Sequence, residues 1–577
     1  MSEVQARTGT SRRSQGLTPV EQARRYHQDT KHQFMRYARS LGFLDWANQP
    51  DPFRRYAGAP LFALPLQADG PDDPAYDALY VPGLIRPRPI TIETLSRFLE
   101  FALSVTAWKQ AGDMQWALRS NPSSGNLHPT EGYVVIPAVS GESSPESWPA
   151  GVYHYAPKEH GLECRAPLAP EATAALLSPF PDGSFLFGLS SVHWREAWKY
   201  GERAFRYCQH DIGHALGSAR LAAAALGWRM VLLSGMSTAQ VARVLGVDRD
   251  DEFQAVEREQ ADCLAVVFPE PGAGALRLPR TLAEQAIEGV AASHWQGIPN
   301  RLSRDQPIRW DLIDEASEAT VKPVTSEADR EVRPADPTAP SSVLRTATAP
   351  TIIRQRRSAV SFDGTTGLPA ATWYHMLARL LPSHGNSSQA CPPWDLDDRA
   401  PRVHLMLFVH LVEGVSPGLY CLARRRDVVP LLKQVLRPDF LWTSPPGCPS
   451  DVPLYCLAEG DARRVAAQVS CHQDIAGASA FSLGMFAEYA DPLASEGAHA
   501  YPRLFWECGL IGQVLYLEAE AAGVRGTGIG CFFDDPVHEV FGLGDEAVQS
   551  LYHFTVGGPV EDRRLTTLPP YPGRGRR

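Results

Sequence analysis

The chain has 577 residues, 44% of them apolar and 21% charged, with a net charge of −10. That length exceeds one hydrophobic core and predicts two domains; no run of about eighteen apolar residues argues for a membrane-spanning helix, and the start MSEVQARTGTSRRSQ lacks the apolar run of a secretory signal. Ten cysteines without a C-x-x-C pair argue against a zinc ribbon or a disulfide scaffold, and dispersed basic residues show no nucleic-acid stripe, which leaves a cytoplasmic enzyme or binding protein.

In chain order, the first twenty residues are polar and predict disorder. IETLSRFLEFALSVTAW, from Ile92, has helical periodicity. RSNPSSGNLHPTE, Arg119 to Glu131, packs Pro, Ser, Gly, Asn and Thr between this helix and the strand EGYVVIPAV; it reads as a surface turn or as a cradle of hydroxyls and backbone N–H groups for a planar polar ligand. A small loop, SGESSPESWPAG, follows near residue 145. In WREAWKYGERAFRY, Lys199 and Tyr200 stand together at what reads as a helix start. An amine and a phenol beside an oxidisable substrate could accept and donate a proton, and an ordinary amphipathic pair is the alternative. Only six of the 55 basic residues are lysines, which singles out Lys199 a little further.

YGERAFRYCQHDIGHALGSARLAAAAL predicts one long helix. Its two histidines, His210 and His214, have metal-binding spacing, but the zincin pattern needs Glu where Asp211 stands, so packing and hydrogen bonding are the reading and no metal is expected. Asp314 to Pro350 is rich in Pro, Ala, Ser, Thr and Glu and predicts a linker. Directly after it, IIRQRRSAVSF sets Arg354, Arg356, Arg357 and Ser358 side by side, which suits a phosphate or, equally, a solvated basic patch. TWYHMLARLL predicts a helix, VHLMLFVHLV a buried strand, PRLFWECGLIGQVLYLEAEAA a central helix and YHFTVGGP a late strand. RGTGIG follows a helix, so it is not a dinucleotide turn, and neither a P-loop nor a G-x-S-x-G elbow is present.

A shift of 296 residues overlays the segment from Gly201 on the segment from Gly497 with eleven identities in fifty positions. In each copy a helix ends at a glycine (Gly227, Gly523), an apolar run follows, and a short helix ends at Gly246 or Gly542. The pattern predicts an internal duplication.

Together these segments resemble the nitroreductase-like flavoprotein superfamily and, within it, the SagB/ThcOx-type (azoline) dehydrogenases. The residues that carry the resemblance are Arg356-Arg357-Ser358-Ala359-Val360-Ser361-Phe362, Pro122-Ser123-Ser124-Gly125-Asn126 and Gly526-Thr527-Gly528-Ile529-Gly530, with Lys199-Tyr200 and Asp211-Ile212-Gly213-His214 as the branch-specific elements. The resemblance implies an α+β fold of two nitroreductase-like FMN-binding domains, residues 21–313 and 351–570, that form an intrachain pseudo-dimer around one complete FMN site. It implies that Ser123, Ser124 and Asn126 contact the flavin, that Arg356 and Ser358 bind the phosphate with Arg357 or Arg563 helping, and that backbone near Gly528 and Gly530 approaches the ring. It gives Lys199 the role of base and Tyr200 that of proton donor or relay, for oxidation of a thiazoline or oxazoline ring in a modified peptide or a related small substrate. A peptide-modifying enzyme complex is a partner class it admits; nucleic acid and membrane are not expected. The usual further basic residue of the phosphate segment is Val360 here. The alternatives are an NAD(P)H-dependent nitro, quinone or flavin reductase and a flavin-free binding or scaffold protein.

Overall fold

The structure, a computed structural model, describes residues 16–142, 147–272, 274–306, 308–334, 347–383 and 389–576. Two antiparallel sheets carry it. The first has seven strands in the spatial order Trp228–Leu232, Gln260–Pro269, Phe185–Ser191, Thr130–Ile136, Gly151–Ala156, Gly161–Pro167 and Leu61–Ala63. The second has six, in the order Leu454–Glu459, Gly418–Leu422, Val403–Val409, Phe481–Glu488, Val548–Gly557 and Arg525–Ile529. The run VHLMLFV is apolar except for the buried His404 because the sheet is covered on both faces. Leu405, Leu407 and Val409 enter one core, while Met406 and Phe408 enter another on the opposite face, as the two-residue period of a strand requires. Val134 and Ile136 are divided from Tyr133 and Val135 in the same way. The largest core is shared: it takes residues from both sheets and surrounds two long helices.

Those helices, Ala204–Ala225 and Ala500–Ala521, each have 22 residues and stand 296 positions apart. They touch at Gly213 and Gly509. A Cβ on Gly213 would lie 2.2 Å from the Trp506 carbonyl oxygen, and one on Gly509 would lie 2.2 Å from the His210 carbonyl oxygen. Only glycine allows this approach of two backbones. The helices Thr238–Leu245 and Asp534–Phe541, which end at the left-handed Gly246 and Gly542, keep the same shift.

The two ends of the chain cross between the sheets. Helix Pro19–Asp29 starts in a capping box at Thr18. The residues after it bond to the second half: the Lys31 Nζ lies 2.9 Å from Asp535, and the His32 amide donates to Asp534 at 2.8 Å. At the other end, Thr566–Leu568 pairs with Val105–Ala111, and the Val105 amide donates to the Tyr571 hydroxyl at 3.1 Å.

Several expectations are corrected. The helix from Ile92 ends at Leu103, and Val105–Ala111 is a strand, where β-branched Val105 and Thr106 favour extension. The long helix does not run on from Tyr200: Gly201, at φ +56°, separates it from helix His193–Tyr200, so Lys199 and Tyr200 close a helix and do not open one. The stretch expected to be a linker begins inside helix Asp311–Ala319, which buries Ile313, Ala316 and Ala319 at helical spacing, and it contains a strand, Arg330–Val332, paired with Leu276–Leu278. Residues 1–15 of the expected disordered start, 143–146 of the small loop and 335–346 of the expected linker lie outside the described residues. Among the described residues no helix is long and apolar enough to cross a membrane.

Candidate functional site

A cavity of about 410 Å³ opens between the two halves, lined by the turn at 122–126, by Arg356–Val360, by Thr527–Cys531 and by Tyr200. The turn is built on left-handed backbone: φ is +59° at Gly125, +61° at Asn126 and +52° at His128. Its side chains brace it. The Ser123 hydroxyl accepts from the His128 amide at 2.8 Å, and Asn126 donates to the Ala117 carbonyl at 2.9 Å. The Ser124 amide and hydroxyl both donate to the Asp211 carboxylate at 3.1 Å. Burial pushes the Asp211 carboxyl up to about 7, against the bonds it accepts from Ser123 and Ser124. Much of the polar capacity of Ser123, Ser124 and Asn126 is therefore spent inside the protein.

The opposite wall is an extended segment laid beside the strand Arg525–Ile529. The Ala359 amide donates to the Gly526 carbonyl at 3.1 Å, and the Thr527 hydroxyl donates to the Ala359 carbonyl at 2.7 Å. Arg356 is buried, donates to the Arg119 carbonyl at 2.6 Å and lies over the Tyr516 ring at 5.1 Å, while its Nε has no hydrogen-bond partner. Arg357 donates to the carbonyls of Arg354 and Arg356 at 2.7 and 2.6 Å. Burial, and then the charge of Arg356, pulls its guanidinium down to about 10. Neither forms an ion pair with a carboxylate among the described residues, which leaves two adjacent, largely buried cations on the cavity wall. Arg354 is different: Glu100 holds it at 2.8 Å, and Asp69 pairs with it as well. It does not line the cavity.

Tyr516 joins this wall together. Its hydroxyl accepts from the Ser358 hydroxyl at 3.0 Å and from the Gly528 amide at 2.9 Å, so that amide is already engaged. Gly528 and Gly530 are needed for space: a Cβ on Gly528 would lie 1.9 Å from the Tyr552 hydroxyl, and one on Gly530 would lie 2.3 Å from the Tyr207 ring.

Lys199 and Tyr200 meet the turn at Gly125, where a Cβ would lie 2.5 Å from the Tyr200 hydroxyl and 3.1 Å from the Lys199 Nζ. Gly201 makes this possible by turning the chain sharply where the Arg39 and Ser40 backbone presses against it. The Tyr200 ring packs edge-on against Tyr207 at 4.5 Å. Burial, and then repulsion from Glu196, pushes its hydroxyl well above the ordinary phenol range. Glu196 lies one helical turn before the pair, fully buried, with neither carboxylate oxygen hydrogen-bonded. Burial and the neighbouring Asp211 push it well above the usual carboxylate range.

Of the residues singled out from the sequence, Ser123, Ser124, Asn126, Tyr200, Arg356, Arg357, Ser358, Gly528 and Gly530 all line this cavity, and Lys199 stands at its edge beside Gly125. Arg563 does not join them: it is exposed, while its neighbours Glu561, Asp562 and Leu565 form the rim. His210 bonds through Nε2 to the Leu551 carbonyl at 3.0 Å, and His214 meets the Tyr552 hydroxyl at 3.2 Å. Tyr516, Arg119, Tyr207 and Glu196 were not legible as site residues. Each lies in a helix or strand whose pattern reads as ordinary core or surface; tertiary packing brings Tyr516, Arg119 and Tyr207 to the cavity, and buries Glu196 behind the Lys199-Tyr200 pair.

Residues 86–256, which hold the hydroxyl turn and the Lys199-Tyr200 pair, match the model of the nitroreductase family. A protein of Methanocaldococcus jannaschii assigned as a nitroreductase is 27% identical over 166 residues, which are 28% of this chain and 76% of that one. A crystal structure from Anabaena variabilis, also assigned as a nitroreductase, superposes over 93% of this chain and 99% of its own with a TM-score of 0.63 and 21% identity. The microcin synthetase complex McbBCD of E. coli, with truncated pro-microcin bound, aligns with 31% of this chain and 64% of its own at 23% identity, but its TM-score of 0.24 carries no argument. The chain thus contains a nitroreductase-family domain and has the mixed helix-and-sheet fold of a nitroreductase.

Proposed function

We propose that this chain is an FMN-dependent oxidoreductase whose two halves, residues 21–313 and 351–570, form a pseudo-dimer around one complete cofactor site. We further propose that it is a dehydrogenase of thiazoline or oxazoline rings in a modified peptide or a related small substrate. One observation carries the reading: the cavity collects the hydroxyl turn and the Lys199-Tyr200 pair from one half and the arginine pair and glycine strand from the other. The residues fit the cofactor. Two adjacent cations without a direct carboxylate ion pair, one with an orphaned buried Nε, suit a phosphate group. Gly125, Gly528 and Gly530 let the backbone pack directly against Tyr200, Tyr552 and Tyr207, whose rings line the cavity. The 296-residue shift shared by the paired helices supports descent from one duplicated unit.

When bound, FMN supplies a hydride acceptor. The protein's share is binding and proton handling. Arg356 and Arg357 hold the phosphate, with Ser358 fixed against Tyr516. Asp211 holds the turn through Ser124. Lys199, half-buried at the cavity edge, takes the proton from the ring carbon's neighbour, and Tyr200 orients the substrate or returns a proton at its hydroxyl.

An absorbance scan of the purified full chain, with and without added FMN, tests the cofactor. A flavin spectrum is expected, lost when Arg356→Ala and Ser358→Ala are combined; a chain that takes up no FMN contradicts the proposal. Incubation with an azoline-containing peptide tests the reaction through loss of two hydrogens by mass. Rapid NADPH oxidation with a nitroaromatic that ignores Lys199→Ala would replace the dehydrogenase by a reductase.

A further inference from the structure

Seven of the ten cysteines are buried, and three, Cys448, Cys471 and Cys531, are partly exposed. Two of those three are neighbours. Cys531 follows Gly530 directly and lines the cavity. Cys471 lies just beyond helix Arg463–Val469, where left-handed backbone at Cys471 and His472 (φ +54° and +57°) bends the chain. The two Sγ atoms are 2.6 Å apart, so nothing can stand between them. Gln473 ties both segments together, donating to the Ser470 carbonyl at 2.9 Å and to the Cys531 carbonyl at 3.0 Å.

The surroundings favour a thiolate at Cys531. The bond from Cys471, and then the Arg203 guanidinium, lowers its thiol below the ordinary range, against burial and Asp534. Arg203 is held in place by Asp534 at 2.9 Å and bonds the Gly530 carbonyl at 3.3 Å, one residue from the sulfur. A partly exposed thiol beside a fixed cation is the setting in which cysteine acts as a nucleophile.

We propose that Cys471 and Cys531 are a redox-active thiol pair, with Cys531 in the cavity wall, which closes into a disulfide by exchange with a low-molecular-weight disulfide and is reopened by a thiol. Cys531 attacks one sulfur of the small disulfide; that S–S bond breaks, a mixed disulfide forms, and the leaving thiolate takes up the proton Cys531 gave up. Cys471 then attacks the Cys531 sulfur, the Cys471–Cys531 bond forms, and the second small thiolate leaves with the proton of Cys471. The two cysteine sulfurs are oxidised, the two sulfurs of the small molecule are reduced, and no other electron acceptor is required. Cross-linking needs no bound cofactor, so its outcome is separable from that of the FMN reading.

The test uses the full chain, reduced and desalted, then equilibrated with mixtures of oxidised and reduced glutathione, acid-quenched, alkylated and mapped by peptide mass. A peptide cross-linked through Cys471 and Cys531 is expected, appearing as the mixture becomes oxidising and vanishing with excess reduced glutathione, with Cys448 reaching no more than a mixed disulfide. Cys471→Ser should instead accumulate glutathione on Cys531, because no second thiol displaces it, and Cys531→Ser should react at Cys471 more slowly than the parent. Circular dichroism checks that both variants fold. Full alkylation of both cysteines at every ratio, or a cross-link that pairs either with another cysteine, would overturn the proposal.

Discussion

Two cavities lie between the halves, and their arginines differ in one respect. Around the first, Arg356 and Arg357 have no carboxylate partner among the described residues. Around the second, of about 230 Å³, Arg399, Arg402, Arg424 and Arg503 each have one: Asp397 at 2.9 Å, Glu488 at 3.0 Å, Glu507 and Glu496. The shift of 296 residues relates the two places. Glu496, Arg503 and Leu510 stand where the first cavity has Tyr200, Tyr207 and His214. Ser317, Thr320, Val321 and Lys322, from the stretch expected to be a linker, line the second cavity as well. The comparison teaches that one wall keeps two arginines free of any direct carboxylate bond, with Glu520 and Glu561 acting on them only at longer range, while the other pairs its arginines directly with its own acids.

That contrast can be broken from either side. The largest effect on cofactor binding is expected from Arg356→Ala: losing one charge-assisted bond of about 1.5–3 kcal/mol should weaken FMN binding by roughly 10- to 100-fold, read by titration of flavin fluorescence. Lys199→Ala should leave flavin binding intact and slow substrate oxidation by roughly 10²- to 10⁴-fold, the range of general acid–base catalysis, read as kcat with the flavin spectrum as control. Gly125→Ala should impair both, because φ is +59° there and the new Cβ would lie 2.5 Å from the Tyr200 hydroxyl.

Asp211 gives a pH prediction. Its folded pKa of about 7 lies above the unfolded value of 3.8, so the folded state binds the extra proton between those limits. Stability from this group is full below about 4 and falls as pH rises toward about 7. Asp211→Asn should flatten that part of the stability profile in urea unfolding, by an amount on the order of a few kcal/mol. The smallest effect belongs to the second cavity, where Glu496→Gln should leave FMN affinity and stoichiometry unchanged.

Much of this was legible in the sequence, for identifiable reasons. VHLMLFV and EGYVVI announce strands by β-branched and apolar composition, and the two 22-residue helices by apolar periodicity. The turn at 122–126 and the arginine pair were legible through the family resemblance, since their composition alone suits a surface turn and a solvated basic patch as well. What failed, failed at points decided by tertiary contact. SVTAW continues a helical rhythm, but the C-terminal strand Thr566–Leu568 draws it into a sheet. Gly201 looks like any helical glycine until the Arg39 backbone is seen against it. Tyr516 is an aromatic in an apolar helix, and its hydroxyl acquires meaning only where it meets Ser358 and Gly528.

The central claim, one cofactor site shared by two halves, is tested most directly by counting. Flavin-free chain titrated with FMN and followed by fluorescence should saturate at one equivalent per chain; the combined Arg356→Ala and Arg357→Ala variant should abolish binding, and Arg503→Ala should leave it unchanged. Two equivalents per chain, or one equivalent that survives loss of the arginine pair, would contradict it.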